Sequence, residues 1–101
     1  METEIRTTKS PVVVVQEALL VAGESMPLYS HPFVRKDFTQ HQLFAILTLR
    51  RTLQTDIHGV IKKLEDSPEL SGALGLKEIP DYSTLFHAEQ RLIGKGFLET
   101  F

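Results

Sequence analysis

The stretch that decides the fold is TQHQLFAILTLRRTL, Thr39 to Leu53. Thr39 has the side chain of a helix N-cap, and Gln42 follows three residues later, where it would complete a capping box. Phe38 and Leu43 flank the cap in the positions of a hydrophobic staple. The apolar residues then cover more than half of the helical circumference: Leu43, Phe44, Ile46, Leu47, Leu49 and Leu53. So wide a stripe predicts a central helix that is buried against two or more neighbours.

Two shorter helices are predicted directly after it. The first begins near Thr55 or Asp56, and its apolar residues recur at the i, i+3, i+4, i+7 spacing: Ile57, Val60, Ile61 and Leu64. The second opens at Ser67-Pro68 and contains Leu70, Ala73 and Leu74. Gly75 is suited to the left-handed residue that ends it, with Leu76 folding back onto the helix.

The last helix is predicted within PDYSTLFHAEQRL, Pro80 to Leu92. Asp81 or Ser83 caps it, and the inward residues are Leu85, Ala88 and Leu92. It ends at Gly94, and the preceding KEIP is extended because Ile79 stands before a proline.

At the other end of the chain, Ser10-Pro11 is typical of an N-cap and a first-turn proline, and Gly23 of a C-terminal stop. The four consecutive valines favour a strand, but one helical face collects Val12, Val15, Leu19 and Ala22. We therefore predict an all-α fold, a bundle of four to five short helices with a helix-turn-helix-like C-terminal part. Its divisions are an N-terminal helix and irregular linker (1–30), the main helical domain (31–93) and a short tail (94–101).

The composition limits the class of protein. A chain of 101 residues with 42% apolar residues forms one folded domain, and the absence of cysteine excludes disulfides and thiolate metal sites. The longest apolar run, PVVVVQEALLVAG, is too short to cross a bilayer, and METEIRTTK does not resemble a signal peptide. We expect a cytoplasmic protein without a membrane partner.

Charge is distributed unevenly although the net formal charge is only −2. Residues 31–64 contain six basic and two acidic residues, whereas residues 65–93 contain two basic and six acidic residues. Contacts with phosphate would therefore come from the first of these segments: Arg35, Lys36, Arg50, Arg51, Lys62 and Lys63. The alternative is that these side chains form ordinary solvated surfaces.

No catalytic or metal-binding pattern is present in the sequence. The four histidines, His31, His41, His58 and His87, lie on different predicted elements, and no two have the spacing of zinc ligands. The glycines fit helix ends and turns rather than a phosphate-binding loop. We therefore predict no catalytic residues, no metal, no cofactor and no small-molecule substrate.

The outer face of the last helix permits two interpretations. Thr84, His87, Gln90 and Arg91 would read DNA if this were the recognition helix of a helix-turn-helix, with Arg91 on a phosphate. The same residues would be a plain solvated face if it were not, and the neighbouring Asp81 and Glu89 favour that interpretation because they repel phosphate.

Three blocks of the sequence resemble the N-terminal domain of bacterial and archaeal insertion-sequence transposases of the DDE class. They are DFTQHQLFAILTLR, SPELSGALGLKEIPDYSTL and AEQRL, and the similarity extends from about Tyr29 to Leu92. The resemblance implies a small helical domain that binds double-stranded DNA at the transposon ends and precedes a separate catalytic domain with an RNase H-like fold. Asp81 and Glu78 depart from what a DNA-binding surface would favour.

From this resemblance we expect an isolated or shortened transposase domain without catalysis of its own. An alternative is an interaction module that forms a homodimer or pairs with a full-length transposase as an inhibitor. The wide apolar stripe of the central helix and the apolar tail residues Phe97, Leu98 and Phe101 motivate that alternative.

Overall fold

The computed structural model describes residues 10–25 and 38–94, which form five helices within those ranges. We number them α1 (Pro11–Ser25), α2 (Gln40–Leu53), α3 (Ile57–Asp66), α4 (Pro68–Leu74) and α5 (Tyr82–Gly94). The described residues contain no strand, so the predicted all-α class is confirmed. None of these helices is both long and apolar enough to pass through a bilayer.

Helix α2 is the centre of the bundle. It packs against α1 most extensively, and also against α3 and α5. Every residue from Leu43 to Leu49 is buried, which confirms the predicted wide stripe. Leu53, at the end of that stripe, is instead 39% exposed. Thr48 is also buried in mid-helix. Its hydroxyl is satisfied there because it donates to the Phe44 carbonyl, 2.9 Å away and one turn earlier.

The capping box at the start of α2 is present as predicted. The Gln42 N–H donates to Thr39 Oγ1 at 3.0 Å, and the Thr39 N–H donates to Gln42 Oε1 at 2.9 Å. Gln42 also reaches another helix end, because its Nε2 donates to the carbonyls of Leu74 (3.0 Å) and Gly75 (3.2 Å). One glutamine therefore caps α2 and joins it to the end of α4.

Helices α3 and α4 follow the sequence prediction closely. Asp56 caps α3 by accepting from the Gly59 N–H at 2.8 Å, and Ile57, Val60 and Leu64 are buried. Gly75 ends α4 with φ +72°, and the Leu76 N–H returns to the Ser71 carbonyl at 3.0 Å. The predicted left-handed helix end is therefore confirmed.

Helix α1 differs from the prediction in two respects. It continues through Gly23 to Ser25, so the predicted stop at Gly23 is wrong. A glycine inside a helix costs only about 1 kcal/mol, which the packing of the adjacent Ala22 can offset. The buried face is centred on Val14, Val15, Ala18 and Ala22, while Val12 and Leu19 lie at its margin. Because this face packs on α2 and α4, α1 belongs to the common core.

Candidate nucleic-acid interface

Helix α5 is held on one side and open on the other. Asp81 starts it by accepting from the Thr84 N–H at 2.9 Å, and Leu85, Ala88 and Leu92 are completely buried, as predicted. The opposite side carries five exposed residues within a sector of about 140°, at 100° per residue. We call this surface the α5 face; it consists of Tyr82, Ser83, Phe86, His87 and Gln90.

The predicted DNA-reading residues fall partly on this face. His87 and Gln90 belong to it, whereas Thr84 and Arg91 are half-buried at its edge. The Arg91 Nε is buried and has no hydrogen-bond acceptor among the described residues. The exposed face is therefore centred closer to Tyr82 and Phe86 than the face that was predicted from the sequence. The signal for these two residues was their i, i+4 spacing, which places both rings on the same side of the helix, outside the apolar stripe.

Aromatic rings continue from the start of α3 across the α5 face. His58, at the start of α3, stacks on Tyr82 with 4.5 Å between ring centroids and 28° between planes. Tyr82 lies 6.2 Å from Phe86, and Phe86 meets His87 edge-on at 5.5 Å. Tyr82 and Phe86 remain 43% and 40% exposed. This aromatic row (His58, Tyr82, Phe86 and His87) joins the beginnings of α3 and α5.

Arg50 lies differently from the prediction of a solvated, phosphate-binding charge. Its Nη2 forms an ion pair with Glu89 of α5, and its Nη1 donates to the Thr55 carbonyl at 3.1 Å. The two paired side chains are only 22% and 15% exposed. This contact could not be predicted from the sequence because its partners are separated by 39 positions. Arg50 is directed into the fold, and its charge offsets that of Glu89.

The other basic residues that were predicted to contact phosphate are distributed over α2 and α3 or lie outside the described residues. Arg51 is exposed at the end of α2, and Lys63 is half-buried. Lys62 is 73% exposed and lies 3.8 Å from Asp66, a weak pair at a spacing of one helical turn. Arg35 and Lys36 lie outside the described residues, as do Phe97, Leu98 and Phe101.

The described residues offer little for metal binding. They contain no group of three or more histidine, aspartate or glutamate side chains placed to hold a metal ion. An open groove of about 540 Å³ lies beside α3 and α4, and its lining mixes Leu64, Leu76 and Ile79 with Glu65, Lys77 and Glu78. The α5 face is therefore the candidate functional site.

Comparison with known proteins adds no further constraint. No family model, curated protein or solved structure matches the chain. The functional assignment consequently depends on the geometry of the α5 face and on the three sequence blocks that resemble transposases.

Proposed function

We propose that the chain is a DNA-binding domain of the transposase type, and that α5 is the helix that enters the groove of double-stranded DNA. The observation that carries this proposal is the exposed N-terminal half of α5, anchored from beneath by Leu85, Ala88 and Leu92. Recognition helices have this arrangement, because their first turns contact base edges while their apolar side holds them to the domain. In the transposases that the sequence resembles, catalysis belongs to a separate domain, so the role proposed for this chain is binding alone.

The local electrostatics support the proposal at one of the two acidic residues near the α5 face. Glu89 is paired with Arg50, and the Asp81 carboxylate accepts from the first turn of α5. The charge of Glu89 is therefore offset within the domain, whereas Asp81 remains an exposed carboxylate that the basic side chains have to outweigh. Among the described residues, Arg51, Lys62 and Lys63 would supply phosphate contacts, and the α5 face would supply contacts to base edges.

The test is binding of the purified chain to double-stranded DNA of mixed sequence, measured from low to physiological salt. We expect affinity to decrease linearly with the logarithm of salt concentration, and Arg51→Gln or Lys62→Gln to reduce the slope by about 0.9 for each lost contact. Changing His87 and Gln90 together to alanine should weaken binding to a preferred sequence by about tenfold. Gln16→Ala on α1 is the control, because α1 packs on α2 and α4 whereas α5 packs on α2 and α3.

Three results would contradict the proposal, either as a whole or in its assignment of α5. The first is the absence of binding even at low salt. The second is equal weakening by the α5 variant and by Gln16→Ala. If DNA binds with a normal salt slope but the α5 variant has no effect, another helix enters the groove.

A second candidate, an interaction module, is favoured by the outer side of α1. There Leu20 is 69% exposed, and Val13 and Val21 are each 39% exposed. If this surface mediates self-association, sedimentation should show a dimer that Leu20→Glu converts to a monomer. A dimer that binds no DNA would favour this candidate over the first.

A further inference from the structure

The contacts of Arg50 extend beyond one ion pair. Its backbone carbonyl accepts from the Thr55 N–H at 3.2 Å, while its Nη1 donates to the Thr55 carbonyl at 3.1 Å. Both polar groups of the Thr55 peptide backbone are thus bound to the same arginine. The remaining terminal nitrogen of the guanidinium pairs with Glu89 on α5. The end of α2, the turn before α3 and the middle of α5 therefore meet at one side chain.

We propose that Arg50 is a positioning residue that sets the orientation of α5 relative to α2 and to the start of α3. Three observations support this role over a phosphate contact. The Arg50 and Glu89 side chains are largely buried, the guanidinium is already engaged at both terminal nitrogens, and its Nε is buried without an acceptor among the described residues. Reaching a phosphate would require breaking the pair and leaving the Glu89 carboxylate without its cation.

The positioning role of Arg50 has a consequence for the α5 face. This consequence rests on the DNA-binding function proposed above. The start of α3 and the start of α5 are in contact through the stacked rings of His58 and Tyr82. Arg50 is bound to the turn before α3 through Thr55 and to the middle of α5 through Glu89. Loss of the Arg50–Glu89 pair should therefore loosen α5 as a whole, including the residues that would contact DNA.

Glu89→Gln separates the two roles by the sign of its effect. If Arg50 contacted phosphate, removing the Glu89 charge would free the arginine for that contact and raise DNA affinity. If Arg50 positions α5, the same change should lower affinity by about tenfold, the scale of a lost charged hydrogen bond. Arg50→Met should lower affinity similarly and leave the salt slope unchanged. Arg51→Gln is the matched control and should reduce the slope by about 0.9.

A second measurement does not depend on DNA. Amide hydrogen exchange of α5 and of Thr55 should accelerate at least about tenfold in Arg50→Met and in Glu89→Gln, relative to the amides of α1 in the same variants. Arg51→Gln should leave the ratio unchanged. If the wild-type chain binds no DNA but shows this pattern, the proposed function fails and the positioning role stands. Unchanged exchange of α5, or higher DNA affinity in Glu89→Gln, would overturn the positioning role.

Discussion

At the scale of single residues, Gly59 shows how closely the first turn of α3 approaches the turn before it. A Cβ atom built on Gly59 would lie 1.9 Å from Thr55 Oγ1 and 3.1 Å from Thr55 Cβ. The absence of a side chain at position 59 therefore allows Thr55 to occupy the place where Arg50 binds its carbonyl.

We expect Gly59→Ala to lower the free energy of unfolding by about 1 kcal/mol, because the steric conflict outweighs the gain in helix propensity. Gly72→Ala is the matched control, since nothing lies within 4 Å of its added methyl group, and it should raise the free energy of unfolding by about 0.5–1 kcal/mol. Urea unfolding of both variants gives the comparison. Equal stabilisation by the two changes would contradict the close approach of Thr55.

At the scale of helices, Gln42 connects the beginning of α2 to the end of α4. Thr39→Ala should cost about 1 kcal/mol, since it removes a single capping acceptor. Gln42→Ala should cost about 2–3 kcal/mol, because it removes the other half of the box and the donors to the Leu74 and Gly75 carbonyls. Thermal or denaturant unfolding measures both, and equal costs would mean that the contact with α4 contributes nothing.

The helices that could be predicted from sequence are those whose ends are determined by local chemistry. The caps at Thr39, Asp56 and Asp81 and the glycine at position 75 all act within a few residues of themselves. The contacts that could not be predicted join distant positions: Arg50 with Glu89, and His58 with Tyr82. Spacing along a sequence carries no information on such pairs, which exist only once α5 has packed. The composition of the α5 face was accordingly anticipated at His87 and Gln90 and missed at Tyr82 and Phe86.

At the scale of the whole molecule, α2 packs against α1, α3 and α5 and is joined to α4 through Gln42, so a cavity within it should weaken the entire bundle. Leu47 is completely buried, and Leu47→Ala should cost about 3 kcal/mol, a large part of the stability of a domain of this size. Leu53→Ala makes the same chemical change in the same helix at a side chain that is 39% exposed, and should cost less than about 1 kcal/mol. A denaturant midpoint for each variant, with an unchanged slope, would establish the difference. Equal losses would contradict the burial of Leu47.

The stacked ring of Tyr82 gives the protein an optical signal of its own. The chain has no tryptophan and only two tyrosines, so the near-ultraviolet emission of the phenol side chains is not masked. One of these phenols lies on His58, at the margin of the surface proposed to meet DNA. A ligand that settles there would change the surroundings of that fluorophore, and Tyr82→Phe would remove the response. Occupancy of the surface can thus be followed in the unlabelled protein by spectroscopy.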